Sequence, residues 1–271
     1  MMSTTSTIGD HIRDWRQRRR MSQMDLALEA DISTRHLSFL ETGRSQPSRE
    51  MVLLLAEQLS IPLREQNVLL VAAGFAPVYS QRALDDPALA AARDAVDLVL
   101  KGHEPYPALA IDRHWNLVAA NAALMPLVGD VDHALLKPPV NVLRLSLHPG
   151  GLASRIVNFA EWRDHLLARL HQQVDVTGDS VLMKLMEELR AYPTPPAQRR
   201  DVAPRRDYAG VLVPLKLAMP QQVITLFSTT TVFGTPVDVT LSELAIEAFF
   251  PADPDTAATL RAMAEGLAQK G

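Results

Sequence analysis

Residues 22–59 read SQMDLALEADISTRHLSFLETGRSQPSREMVLLLAEQL, and this stretch decides the fold of the first part of the chain. It contains three short segments with helical periodicity, and each follows a serine that can cap a helix: Ser22, Ser33 and Ser48. A turn at residues 30–32 separates the first segment from the second. A short helix, a tight turn and a second helix with apolar inward residues form the helix-turn-helix arrangement, in which the second helix enters the major groove of DNA.

Helical periodicity predicts one further helix on each side of this stretch. The first helix of the chain is expected from Ile8 to Arg19, and a fifth helix from Pro62 to about Gly74. Gly43 is expected to end the third helix with a left-handed backbone. Residues 1–78 are therefore predicted to form an all-α, five-helix domain.

The same stretch resembles the DNA-binding domain of the xenobiotic-response-element (XRE) family of phage-repressor-like regulators. The matching positions are Ser22-Gln23, Leu26-Ala27, Ile32-Ser33, Leu37, Leu40, Glu41-x-Gly43-Arg44, Pro47-Ser48 and Leu55-Ala56. Asp31 departs from the family pattern, which usually has glycine in the turn. Because aspartate tolerates a left-handed backbone better than most residues, the turn is expected to survive. The resemblance implies a transcription regulator that binds a double-stranded DNA operator.

Seven residues are predicted to contact DNA. They are Gln23, Ser33, Thr34, Arg35, Ser38, Phe39 and Arg44. Because Leu37 and Leu40 mark the inward side of the third helix, the side chains around Arg35 face outward. Arg35 can pair with O6 and N7 of guanine, and Phe39 can lie against a thymine methyl group. The alternatives are a solvated Arg35 and a Phe39 that packs on the fourth helix.

Two of these residues are predicted to position the protein on DNA rather than to read its sequence. The resemblance implies that Gln23 contacts a phosphate. Arg44 comes just after the third helix and is expected to lie at a similar level along the DNA. Because a single module of this kind reads only a half-site, a homodimer is expected.

The charged residues are unevenly distributed along the chain. The formal net charge is −4; residues 1–78 hold nine basic and nine acidic residues, and the rest hold 18 basic and 22 acidic residues. Five arginines fall within eight residues, namely Arg13, Arg16, Arg18, Arg19 and Arg20. Such a cluster favours contact with nucleic acid, and its alternative is a solvated basic face. Glu41 and the pair Glu187-Glu188 are expected to lie on solvated helix faces.

Beyond residue 78 the sequence predicts an α+β domain. Strands are expected at Ala108–Ile111, Leu117–Ala120, Val211–Leu217 and Val223–Ser228, and the segment Leu244–Pro251 is ambiguous between strand and helix. Helices are expected over residues 152–174 and 179–191, and a loop over residues 193–206. An antiparallel sheet with its helices packed on one face satisfies this order of elements.

Three segments of this second part resemble the MmyB-like ligand-binding domain, a PAS-like fold found behind such helix-turn-helix domains. They are IDRHWNLVAANAA (111–123), NVLRLSLHPGGL (141–152) and FSTTTVFGTPVDVTLSELAIEAFFPAD (227–253). The resemblance implies a one-component regulator whose second domain holds a small molecule of hydrophobic or fatty-acyl type. The expected layout is a helix-turn-helix domain at 1–78, a connector and linking helix at 79–104, the PAS-like domain at 105–255 and a C-terminal helix at 256–271.

The residues expected around the ligand are Trp115, Asn121, Met125, Arg144, His148, Phe159 and Trp162. Arg144 lies in an apolar run, and a buried arginine needs an anionic partner. That partner is either a ligand carboxylate or an internal acid such as Asp112 or Glu247. His148 can donate a second bond to the ligand, with a histidine that caps a turn as its alternative. The apolar members can equally be plain core, because pockets and cores have the same lining.

Composition and motifs point away from other classes of protein. The chain has no cysteine, which excludes disulfides and thiol chemistry. No pair of histidines has the spacing of metal ligands, and the GxGxxG, GxxxxGK and GxSxG motifs are missing. No apolar run reaches the length of a membrane span. The chain is therefore expected to be a cytoplasmic regulator that is not an enzyme and has no cofactor and no membrane partner.

Two alternative functions for the second domain remain open. It could be a ligand-free dimerisation or protein-interaction platform, which a pocket plugged by Trp and Phe side chains would favour. It could also be an enzyme fused to a DNA-binding domain, which turnover of a bound acyl compound would favour.

Overall fold

The computed structural model describes residues 7–195, 212–234 and 238–268, and it divides into two compact units. The first unit comprises residues 7–82, 175–178 and 238–242. The second comprises the remaining described residues. Across the described residues, no helix combines the length and apolar character that crossing a membrane requires.

Five helices form the body of the first unit. They are α1 (Ile8–Arg18), α2 (Gln23–Glu29), α3 (Thr34–Glu41), α4 (Arg49–Gln58) and α5 (Leu63–Ala72). The three predicted serine caps are confirmed, because the hydroxyl oxygens of Ser22, Ser33 and Ser48 each accept a backbone N–H three residues on. The predicted five-helix arrangement is therefore confirmed.

The turn between α2 and α3 has the backbone that the sequence predicts. Asp31 has a φ of 52°, and Gly43, which follows α3, has a φ of 72°. The helices pack closely behind this turn: a Cβ added to Gly9 of α1 would lie 2.5 Å from the carbonyl oxygen of Leu40 in α3. Leu37 and Leu40 are fully buried, as expected for the inward side of α3. The opposite side of α3 is consequently the side that can face DNA.

The second unit is built on one antiparallel sheet of five strands. The strands are β1 (Ala108–Ile111), β2 (Leu117–Ala120), β3 (Leu215–Ala218), β4 (Val223–Val232) and β5 (Ala245–Pro251). Their order across the sheet is β2-β1-β5-β4-β3. The ambiguous segment is therefore a strand, and it lies at the centre of the sheet. Val211, the predicted start of β3, lies outside the described residues, as does most of the predicted loop at 193–206. The predicted strand is nevertheless wrong at its start, since β3 begins only at Leu215.

Beyond α5, the described residues form six further α-helices. They are α6 (Ala90–Gly102), α7 (Val142–Leu147), α8 (Phe159–Thr177), α9 (Ser180–Ala191), α10 (Val239–Ser242) and α11 (Pro254–Ala268). The helix predicted over residues 152–174 is wrong at its start, since a 3-10 turn at Ala153–Arg155 precedes α8. The short helix α10 groups with the first unit.

Both faces of the sheet are covered at β1. Leu109 and Ile111 point into the main core of the unit, whereas Ala108 and Ala110 pack against Val96 and its neighbours in α6. The linking helix α6 therefore packs on the face of β1 opposite the main core, because β1 is apolar on both sides. The predicted fold class is confirmed: an all-α five-helix domain is followed by an α+β domain with an antiparallel sheet.

Candidate DNA-binding face and ligand cavity

The outward side of α3 carries a cluster of two arginines and one aromatic ring. The Cζ atom of Arg35 lies 5.3 Å from the ring centre of Phe39, and that of Arg44 lies 5.8 Å from the same centre. Thr34 and Arg35 are exposed, and Phe39 is half-buried. Phe39 is not one of the side chains packed on the apolar core of this unit. The face therefore offers guanidinium groups and an apolar surface together, which suits contact with base edges and phosphates.

A buried ion pair fixes α3 to the two helices before it. The carboxylate of Glu41 accepts hydrogen bonds from Nε of Arg16 at 2.6 Å and from Nη2 of Arg16 at 3.0 Å. Nε2 of Gln23 donates to the same carboxylate at 2.8 Å. The side chain of Glu41 is only 1% exposed. The expectation that Glu41 is solvated is therefore wrong, because helix periodicity alone did not show that its side chain meets α1.

The amide of Gln23 has a structural partner as well as its predicted role on DNA. Its Nε2 carries two hydrogens, and the bond to Glu41 uses one of them. Contact of Gln23 with a phosphate remains a prediction. Ser33 also has a hydrogen-bond partner within the protein, since its hydroxyl oxygen accepts the N–H of His36 at 3.1 Å.

The arginine cluster of α1 serves mainly inside the first unit. Arg16 is buried on Glu41, and Nη2 of Arg13 donates to the carbonyl oxygen of Glu41. Arg19 donates to the carbonyl oxygens of Leu59 and Ser60 at 2.8 and 2.9 Å. These three arginines therefore satisfy carboxylate and backbone acceptors within this unit, and contact of the cluster with nucleic acid remains a prediction.

A cavity of about 100 Å³ lies in the second unit between the sheet and helices α7 and α8. Its lining is largely apolar and includes Leu109, Leu217 and Leu226 from the sheet, Leu145 from α7 and Leu166 from α8. These side chains come from elements far apart in the chain. The cavity is therefore a product of the tertiary fold.

Trp115 enters this cavity from the turn between β1 and β2. Its φ is 66°, a left-handed conformation that is uncommon for a residue of this size. The carboxylate of Asp112 accepts the N–H groups of His114 and Asn116 at 2.8 Å each, which fixes the turn. Nε1 of Trp115 donates to Gln173 of α8 at 2.7 Å. Left-handed non-glycine residues cluster at ligand sites, which supports a functional role for this ring.

The cavity wall includes one ion pair. Nη2 of Arg169 donates to Oε1 of Glu247 at 2.5 Å and to the hydroxyl oxygen of Thr230 at 3.0 Å. The Thr230 hydroxyl in turn donates to Glu247 at 2.8 Å. The Cζ atom of Arg169 also lies 4.9 Å from the ring centre of Trp115. Arg169 and Glu247 both line the cavity.

The structure brings only two of the seven predicted ligand residues to the cavity. Trp115 and Trp162 line it. Phe159 is buried in the core, and Met125 is 61% exposed. The amide of Asn121 bonds to the backbone at Leu100, Tyr106 and Ala108 instead of facing the cavity. Apolar periodicity identified buried residues but did not separate a cavity wall from plain core.

Arg144 and His148 lie in a separate cluster. The guanidinium of Arg144 donates to both carboxylate oxygens of Glu188, at 2.8 and 2.7 Å. The acid partner is thus Glu188, and not Asp112 or Glu247. The side chains of Arg144 and Glu188 are 41% and 38% exposed, so the expectation that Arg144 is buried is wrong. The bond from Arg144 lowers the pKa of Glu188. His148 accepts the N–H of Gly150 at 3.0 Å, so it is the turn-capping histidine that was its alternative.

Sequence reasoning missed Arg169 and named Glu247 only as a partner for Arg144. A signal was present for both residues. Arg169 stands beside the inward Leu166 and Leu170 of α8, and Glu247 is a charged residue within an apolar strand. Charged side chains at such positions are rarely buried without a partner. Among the described residues, no group of three or more His, Asp or Glu side chains is placed to hold a metal ion.

A helix-turn-helix unit that presents Arg35 on the outward side of its second helix, joined in one chain to a domain with an apolar cavity, defines a DNA-binding transcription regulator with a ligand-binding domain. Two family matches agree with this class: the MmyB-like transcription regulator ligand binding domain matches residues 92–263, and the helix-turn-helix family matches residues 12–66. The chain belongs to the MmyB-like family. No curated protein matches the chain.

Proposed function

We propose that this regulator binds a specific operator as a homodimer and that a small apolar molecule in the second domain controls it. The cavity is the observation that carries the proposal, because its wall is apolar apart from one ion pair and two serines. Ligand sites typically combine such a wall with a few polar groups that orient the ligand. Compounds of fatty-acyl type fit this chemistry. Because one chain would bind both DNA and the ligand, the protein would act as a one-component regulator without catalysis.

The small size of the cavity favours the alternative in which the second domain holds no ligand. A volume of about 100 Å³ is smaller than an engineered cavity of about 150 Å³ that binds benzene. A long acyl chain would therefore require the cavity to widen. If the cavity does not open to ligands, the second domain would be a dimerisation or protein-interaction platform.

We expect mass spectrometry of the purified protein to detect a small molecule that is retained under native conditions and released on denaturation. Leu124→Trp should abolish this occupancy, because Leu124 lines the cavity from a half-buried position. The matched control is Met125→Trp, which adds the same ring at an exposed neighbour that does not line the cavity. Equal occupancy in both variants would place the molecule outside the cavity. No released molecule from several expression hosts would favour the platform.

We expect Arg35→Ala to weaken binding to the preferred operator by about 1–3 kcal/mol and to leave binding to random DNA almost unchanged. The reason is that loss of a paired contact to guanine removes sequence discrimination. Arg44→Ala is the contrasting variant, because loss of a phosphate contact weakens both kinds of binding and lowers the salt dependence. The operator can be selected from random DNA at about 0.15 M salt.

The selected sites also test the homodimer. A two-fold dimer predicts an inverted repeat whose half-sites are about 10–10.5 base pairs apart or a multiple of that. Equal losses on operator and random DNA would show that Arg35 is a phosphate contact, and single half-sites would contradict the dimer.

A further inference from the structure

The chain returns to the first unit between two strands that line the cavity. Strands β4 and β5 are neighbours in the sheet, and they contribute Ser228 and Glu247, respectively, to the cavity wall. The chain between them passes through residues 238–242, which belong to the first unit. β5 begins at Ala245, shortly after this segment. A short piece of the DNA-binding unit is thus covalently joined to two walls of the cavity.

The carboxylate of Asp238 holds this segment in place. Its side chain is only 3% exposed. Nη1 of Arg82 donates to Oδ2 of Asp238 at 3.2 Å, and the N–H of Thr240 donates to Oδ1 at 2.8 Å. The N–H of Val239 donates to the carbonyl oxygen of Ser80 at 2.8 Å, and the hydroxyl of Thr240 donates to that of Arg82. Side-chain and backbone bonds therefore fix the segment to the stretch that follows α5.

That stretch is in turn fixed to α5 by one amide. Oδ1 of Asn67 accepts the N–H groups of Val78 and Tyr79 at 3.0 and 3.1 Å, and its Nδ2 donates to the carbonyl oxygen of Tyr79 at 2.8 Å. Asn67 lies in α5, which packs on the same apolar core as α3. A displacement of residues 238–242 would therefore reach the core that positions the DNA-binding helix.

The ion pair makes this connection stiff. Separating Asp238 from Arg82 would leave a buried carboxylate without its cation, which is costly. Movement at the start of β5 is thus expected to be passed on to the first unit rather than absorbed in residues 238–242. Asp238 does not line the cavity, so it has no part in holding a ligand there.

We propose that Asp238 couples the cavity to the DNA-binding unit, because its bond to Arg82 passes changes in β4 and β5 to the stretch after α5. The inference rests on the proposed control by a ligand, and it adds the residue through which that control acts. Asp238 is a positioning residue, since it acts through Arg82 and the backbone.

The test uses operator DNA as the probe, because coupling between two sites is reciprocal. If the state of the cavity changes the affinity for DNA, DNA binding must change the cavity by the same free energy. Hydrogen exchange of the full-length protein is measured with and without the operator selected from random DNA. In the wild-type protein, operator binding is expected to change the exchange of the β4 and β5 amides at least about fivefold.

Asp238→Asn is expected to reduce this response to less than about twofold while the protein still binds the operator. Asparagine keeps an acceptor for the N–H of Thr240 and lacks only the charge that holds Arg82. Arg82→Lys keeps a cation opposite Asp238 and should keep the response. If Asp238→Asn does not fold, Arg82→Gln removes the same ion pair from its more exposed side and gives the same comparison.

Asp97→Asn is the matched control, because it removes the same charge from an exposed position on α6. It should respond to the operator as the wild-type protein does. Loss of the response in Asp97→Asn or Arg82→Lys as well would report general destabilisation and overturn the specific role of Asp238.

The other outcomes separate this inference from the proposed function. A full response in Asp238→Asn overturns coupling through residues 238–242 and leaves the proposed function standing. No response in the wild-type protein bound to its operator also overturns the coupling, and mass spectrometry then decides separately whether the cavity holds a molecule. Failure to select any operator overturns both.

Discussion

Glu41→Ala is expected to destabilise the DNA-binding unit by about 3–5 kcal/mol, because it leaves the guanidinium of Arg16 buried without its partner. Glu41 is almost fully buried, and it receives three hydrogen bonds from Arg16 and Gln23. The side chain of Arg16 is 11% exposed, so water cannot replace the lost carboxylate well. Hydrogen exchange of the amides of α1 and α3 in the full-length protein measures the effect within this unit.

Two further variants separate the ion pair from a general effect of substitution. Glu29→Ala removes an exposed carboxylate of α2 and is expected to change stability by less than about 0.5 kcal/mol. The double variant Arg16→Met and Glu41→Met should recover much of the loss, because apolar residues of similar volume often replace a buried ion pair at little cost. If the amides of α1 and α3 are as well protected from hydrogen exchange in the Glu41→Ala protein as in the Glu29→Ala protein, the carboxylate of Glu41 does not contribute to the packing of α1 on α3.

The scaffold of the DNA-binding unit follows from local sequence. Each serine cap bonds to the backbone three residues on, and the turn requires a left-handed backbone only at Asp31. Such features involve residues close together in the chain, so a single sequence shows them. Glu41 is different, since its partner Arg16 lies 25 residues earlier and only packing brings the two together.

The cavity could be predicted only in its general chemistry. Both Arg144 and Arg169 stand among leucines, and the sequence does not show which one reaches the cavity. Arg144 lies on α7 opposite Glu188, whereas Arg169 lies on α8 opposite Glu247, and these partners are 44 and 78 residues away. The choice between them depends on the packing of helices on the sheet. Periodicity identifies a buried face but carries no information on what faces it.

The sequence also did not show what the side chain of Asn121 contacts. The variant Asn121→Ala is expected to unfold the second unit rather than to impair ligand binding alone. Its Oδ1 accepts the N–H of Ala108 at 3.0 Å. Its Nδ2 donates to the carbonyl oxygens of Leu100 and Tyr106 at 3.1 and 2.8 Å. One buried amide thus joins the end of α6, the following loop and the start of β1. Each buried group left unsatisfied costs about 1–3 kcal/mol, so the loss should be at least about 3 kcal/mol.

Asn121→Asp and Gln172→Ala make this prediction specific. Aspartate keeps the acceptor for Ala108 but cannot donate to either carbonyl when ionised, so it should also be destabilising. Gln172 is exposed on α8, and its loss should be almost neutral. Urea unfolding of the full-length protein, with hydrogen exchange in α6 and β1 to locate the change, gives the measurement. A stable Asn121→Ala protein that has lost its bound molecule would instead assign Asn121 to the ligand, because an amide used only for binding contributes nothing to the empty fold.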